Sequence, residues 1–189
     1  MISRWRTPFP LFVAGALLYA AVVAIFIRRA GGGGALTLLE LSVPLFGLPF
    51  LLSSRRTRWR LAVYFLLLVP AFHYLAVLAA IESVNWRSSG FLPGMIGGLT
   101  GAALSFAALP VLRLARFRRA GIMLVGVALL GLLGGLGVWQ MDYFAGTILK
   151  DYGLVLTLYL PWQTAFGFFL SRLLPAAEEN GLAAGSAPA

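Results

Sequence analysis

Glu40, His73, Gln140, Tyr152, Tyr159 and Gln163 are the strongly polar side chains that fall inside long apolar stretches of this chain. A carboxylate, an imidazole, two amides and two phenols can hold a solute by hydrogen bonds, and Glu40 with His73 adds an ionisable pair. Lipid offers no hydrogen bonds, so each group needs a partner, water or a bound molecule, which makes each a candidate substrate-binding residue. Tyr152, Tyr159 and Gln163 are spaced seven and four apart, on one helix face. Counting helical rise, Glu40 lies about 7 Å and His73 about 12 Å inside the same end of the bundle.

Two readings of these groups are open. In one they line a polar cavity with Glu40 and His73 at its ionisable centre. In the other Glu40 pairs with Arg28 or Arg29, and His73 bonds a carbonyl freed by Pro70. Catalysis finds little support, and no catalytic or metal-ligating set is assigned. A single histidine and no cysteine exclude bis-histidine haem within the chain, multi-histidine metal sites, iron–sulfur clusters and disulfides. Ser42 and Ser105 lack a base at matching depth. Glu82, Asp142 and Asp151 could assemble a lipid-modifying site at the rim, the third of three functional readings.

The elements that position these residues follow from hydropathy. With 60% apolar residues, 11% charged residues and a mean hydropathy of +0.90, the chain has too little polar surface for a water-soluble domain. Six apolar stretches, at about 9–27, 35–52, 61–81, 91–112, 120–141 and 152–171, are each long enough to cross a bilayer as a helix. The expected fold is therefore all-α, a polytopic six-helix membrane bundle over 1–175, followed by a disordered cytoplasmic tail at 176–189. Continuous apolar runs, without apolar/polar alternation, disfavour a β-barrel. Gly31 to Gly34 reads as a turn between two spans.

Charge sets the orientation. With a cytoplasmic N-terminus, eleven arginines (4, 6, 55, 56, 58, 60, 113, 116, 118, 119 and 172) face inward, and Arg28, Arg29, Arg87 and Lys150 face outward. Short cation-rich loops stay cytoplasmic, so both termini are expected inside. The candidate polar residues then share the outer half of the bundle. The Arg55–Arg60 and Arg113–Arg119 loops attract anionic lipid at the cytoplasmic face and are too short and too close to the bilayer to bind nucleic acid. The arginine-rich, Ala- and Gly-rich composition associates with a bacterial protein, hence a multi-pass protein of the cytoplasmic (inner) membrane.

Prolines and small residues give the mechanics. Pro44, Pro70 and Pro161 are expected helix bends, and Pro49 lies near the first. Leu68-Val69-Pro70 in the third stretch matches Tyr159-Leu160-Pro161 in the sixth, each proline the tenth residue of its stretch, a short internal echo of the kind inverted repeats leave. Ala16, Ala20 and Ala24, Gly94 and Gly98, Gly97 and Gly101, and Gly131 and Gly135 form small-xxx-small faces for close helix packing, within this chain or against another subunit.

The expected function is transport, as a small permease or as the membrane-embedded substrate-binding subunit of a larger transporter. The alternative is a non-catalytic structural or assembly subunit. In size and six-span topology the chain is similar to substrate-binding subunits of energy-coupling-factor transporters, and the Ala16/Ala20/Ala24 face looks like the small-residue surface such subunits use for docking. No substrate-contact motif accompanies the likeness, so no residue roles are carried over. No cofactor is expected; the expected partners are the bilayer and other membrane or cytoplasmic subunits.

Overall fold

The computed structural model describes residues 8–30, 43–54, 58–84, 90–115, 119–141 and 152–174. Among them there is no strand. The helices are α1 (Phe9–Ala30), α2 (Leu48–Ser53), α3 (Arg58–Ala62), α4 (Val69–Ser83), α5 (Phe91–Val111), α6 (Ala120–Gln140) and α7 (Leu160–Leu173). Two π-helical segments, π1 (Val63–Leu68) and π2 (Val155–Tyr159), lead directly into α4 and α7.

Among the described residues four helices are long and apolar enough to cross a membrane: Phe9–Phe26, Trp59–Ser83, Phe91–Val111 and Ala120–Gln140. Their outward surfaces carry Leu17, Ile25, Leu67, Ile81 and Leu124, all exposed. Such all-round apolarity is compatible with a protein embedded in lipid.

The stretch at 35–52 departs from a single helix where it is described. Val43–Phe46 is a 3-10 turn, and α2 starts only after Gly47. The cause is local. Pro44 and Pro49 cannot donate backbone hydrogen bonds, so the chain closes a tight turn from the Gly47 N–H to the Pro44 carbonyl (3.2 Å) and restarts with Pro49 in the first turn, where no N–H is needed.

Pro70 and Pro161 each follow a π-helical segment. The Val69 N–H donates to the Tyr64 carbonyl and the Leu160 N–H to the Val155 carbonyl, in both cases five residues back. A proline ring collides with the carbonyl four residues before it, here Leu66 or Thr157. Widening the preceding turn to five-residue spacing gives that ring room and keeps the helix running. The short sequence echo thus has the same local backbone solution at both sites.

α5 stops where Arg113 takes a left-handed conformation (φ 55°) and the Leu114 N–H reaches back to the Leu109 carbonyl at 2.8 Å.

Packing divides the bundle in two. One half is an aromatic core of Phe12, Phe46, Phe50, Phe65, Phe106 and Phe166, with Phe12 stacked on Phe50 at 4.8 Å and Phe106 near Phe166 at 5.3 Å between ring centroids. α1 enters it with Phe12, Ala16, Tyr19 and Val23, all essentially inaccessible. Ala16, expected on a docking face, is buried against this chain's own core, and Ala20 packs beside it. Ala24, nearer the helix end, is half-buried.

The other half is glycine-rich, where α5 and α6 approach backbone to backbone. A Cβ on Gly98 would lie 2.6 Å from the Leu130 carbonyl and 3.1 Å from Gly131 Cα. Gly94 and Gly134 sit against each other, and Gly135 abuts Phe91. Gly97 and Gly101 turn the adjacent face of α5 toward Ala76 on α4. Without a hydrophobic driving force in lipid, such contact is the main source of helix attraction.

Between these halves the Tyr64 hydroxyl on π1 donates to the Ser105 carbonyl on α5 at 3.1 Å. Tyr64→Phe removes that bond while the carbonyl keeps its helical partner, so a loss of about 0.5–1.5 kcal/mol in detergent unfolding is expected.

Candidate functional site

A half-enclosed cavity of about 120 Å³ lies where α4, α5, α7, π2 and the 3-10 turn meet, with Val138 of α6 at its edge. It runs from Phe46 and Phe166, at the margin of the aromatic core, toward Ala80, Gly94 and Val138. Those last three lie near the ends Ser83, Phe91 and Gln140 of their helices. The cavity therefore reaches from the middle of the bundle toward the end that carries the 84–90 and 142–151 connectors.

Three of the sequence candidates meet here: His73 from α4, Tyr159 from π2 and Gln163 from α7. Tyr159 and Gln163 share a face because they are four residues apart across the π2/α7 junction. His73 packs on Tyr159 with ring centroids 5.6 Å apart and planes tilted by 52°. Tyr159 is in turn 5.6 Å from the buried ring of Tyr19 on α1.

α7 is held in register by polar bonds to α6. The Trp162 Nε1–H donates to the Leu130 carbonyl at 3.1 Å. The Thr157 hydroxyl, on π2, lies 2.8 Å from the Gly137 carbonyl and 2.9 Å from that of Gly153, sharing its proton between them. Gly137 permits this approach, since a Cβ there would lie 2.7 Å from the Thr157 carbonyl oxygen.

Two polar atoms at this site are buried and meet no protein hydrogen-bond partner: Nε2 of His73 and Oε1 of Gln163. Gln163 as a whole is only 6% exposed. Leaving such a group unpaired costs about 1–3 kcal/mol, and both residues are among those that line the cavity.

The remaining candidates fall elsewhere. Gln140 is exposed at the end of α6, and Tyr152 packs against the hydrophobic core; neither lines the cavity. Glu40 lies outside the described residues, as do Arg87, Asp142, Lys150 and Asp151 and the 176–189 tail. Pro70 and Pro161 stand at the π-to-α junctions just before His73 and Gln163, while Pro44 lies in the 3-10 turn whose Val43 and Phe46 form part of the wall.

Several lining residues escape sequence reasoning. Trp162 and Phe166 read as generic apolar positions, although Trp162 sits beside Pro161 and three residues from Tyr159. Gly97 and Gly101 read as packing residues; they are that, and side chains there would also project toward Ala76, Ala80 and Trp162 of the lining. Among the described residues no group of three His, Asp or Glu is placed to hold a metal. Comparison with known protein families, with curated proteins and with solved structures finds no match to this chain.

Proposed function

We propose that this chain is an integral membrane transport protein, a small permease or the substrate-binding subunit of a larger transporter, whose solute site is the cavity of His73, Tyr159, Trp162 and Gln163. The observation that carries the reading is the pair of buried, unpartnered polar atoms at one cavity. A purely structural bundle gains nothing from leaving them unpaired, whereas a binding site requires open hydrogen-bonding positions.

In this reading the chain makes six spans with both termini in the cytoplasm of a bacterium, and the cavity opens to the outer side. The cation distribution supports that orientation. The arginine loops lie against anionic headgroups at the inner face. Solute enters from the outside and is held at mid-bundle; the π1/α4 and π2/α7 junctions supply the movable joints, since π turns and proline both weaken helix hydrogen bonding locally.

The test is native mass spectrometry after purification in a mild detergent, comparing wild type with Val77→Trp, which fills the cavity from α4. Wild-type protein is expected to carry a small-molecule adduct that Val77→Trp loses while still folding. Equal adducts in both, or none in either, contradict the reading and favour a structural subunit.

A further inference from the structure

The seam between π2 and α6 borders the cavity, since Leu158 on π2 and Val138 on α6 both line it. One hydroxyl bridges that seam. Thr157 reaches the Gly137 carbonyl across it at 2.8 Å, and the Gly153 carbonyl of its own segment at 2.9 Å. The Gly137 carbonyl lies in the last turn of α6, and the N–H of Met141 turns to Val138 instead, so Thr157 supplies a partner the helix does not. A hydroxyl has one proton, and neither acceptor holds it entirely. If π2 leaves α6, the bond to Gly153 travels with it and takes the whole proton, as threonine does toward the carbonyl four residues back in ordinary helices. The hydroxyl is then never unpaired.

The two sides of the seam differ in their freedom to move. α6 is held to α5 backbone to backbone, with Gly98 against Leu130 and Gly134 against Gly94. π2 has a weaker frame. Its last turn closes through the five-residue bond from the Leu160 N–H to the Val155 carbonyl, and Pro161 beyond it has no N–H to give. Immediately after the proline, the Trp162 Nε1–H donates its single proton to the Leu130 carbonyl at 3.1 Å and ties α7 to α6. A weak joint therefore lies between a fixed point and a hydroxyl that can exchange acceptors. Tyr159 is on the movable side, with its ring on His73 of α4 and Tyr19 of α1, so displacement of π2 carries a cavity wall with it.

We infer that π2 is a flap at the edge of the cavity, which swings away from α6 about Pro161 while Trp162 stays bonded to Leu130, its closed position held by the bond from Thr157 to Gly137. What the flap admits rests on the binding role proposed above; its motion does not.

The chain has no cysteine, so a single thiol reports the motion. Val155→Cys places one on π2 at a position buried in the core, and Ala102→Cys places one on α5, equally buried. Each variant, full length in lipid nanodiscs, is reacted with dithiodipyridine and followed by absorbance. Val155→Cys is expected to react at least about tenfold faster, because a flap opens more often than the frame. Thr157→Val is expected to speed it a further three- to tenfold or so, about the ratio one hydrogen bond gives, and to leave Ala102→Cys within about twofold. Thr157→Ser, which keeps the hydroxyl, is expected to restore the parent rate. Gly137→Ala wedges the seam from the other side, its Cβ 2.7 Å from the Thr157 carbonyl oxygen and 2.8 Å from Leu158 Cα, and is expected to act as Thr157→Val does. Pro161→Ala lets the four-residue ladder close and is expected to slow Val155→Cys at least about threefold.

Equal rates for the two thiols overturn the inference. So does a rise in both rates together in Thr157→Val and Gly137→Ala, which is loosening of the whole bundle, and so does a Pro161→Ala rate equal to the parent's, which removes the joint. If the rates follow the expected pattern and native mass spectrometry finds no adduct that Val77→Trp loses, the flap stands and the binding role falls. If that adduct is found and Val155→Cys does not outpace Ala102→Cys, the binding role stands and the flap falls.

Discussion

Gly134→Val is expected to remove most folded protein from the membrane. The α5/α6 contact is made by backbone atoms: a Cβ at position 134 would overlap the Gly94 carbonyl and lie 3.1 Å from Gly98 Cα. No flexible side chain is there to move aside, so the helices must separate. Separation forfeits the dispersion contacts along a face that in lipid has little else to hold it. Overpacking typically costs about 1–3 kcal/mol, and a clash with two backbones belongs at or above the top of that range. Fluorescence-detected gel filtration of a tagged protein should show the monodisperse peak lost. Gly121→Ala, in the same helix but with nothing within 4 Å of the added atom, should behave as wild type or gain up to about 1 kcal/mol. A wild-type elution profile for Gly134→Val would contradict the packing described.

Gln163→Leu is expected to move stability and binding in opposite directions. The side chain is buried, its Oε1 meets no partner, and leucine has similar bulk without a polar group. Removing an unpaired buried acceptor should raise the stability of ligand-free protein by about 1–3 kcal/mol. The same change removes one of the polar groups proposed to hold the solute. Thermal melting in detergent checks the first part and the adduct in native mass spectrometry the second. Such a trade between stability and binding is the mark of a residue kept for function. A variant that is destabilised and retains its adduct would mean that the amide serves the fold instead.

Much of the scaffold was legible in the sequence because lipid imposes a simple rule. Uninterrupted apolar stretches of bilayer length must be helical, and four long helices lie close to their expected limits. The segment at 43–53 was less legible, since Pro44, Gly47 and Pro49 leave the mean hydropathy high while dividing the backbone into a 3-10 turn and a short helix. Hydropathy counts side chains and does not register missing N–H groups.

At the site, the rule that polar residues within spans need partners singled out His73, Tyr159 and Gln163, which do share a cavity. The same rule also selected Gln140, whose place at a helix end leaves it exposed. It had no means of finding Trp162 or the glycine wall, because their contribution is shape. Which face of α5 serves α6 and which serves α4 depends on how three helices meet, and spacing along one helix does not encode that.

The central claim, a solvent-reached cavity opening to the outer face, can be tested through a convenience of the sequence: it contains no cysteine. Single Cys variants at Ala80, in the cavity wall, and at Ser53, exposed at the end of α2 beside the arginine-rich loop, are labelled in intact cells with a membrane-impermeant maleimide. Ala80→Cys is expected to react from outside, filling the cavity with Val77→Trp to protect it, and Ser53→Cys to react only after the membrane is opened. Labelling of Ser53→Cys in intact cells with Ala80→Cys silent would overturn that orientation and the outward opening.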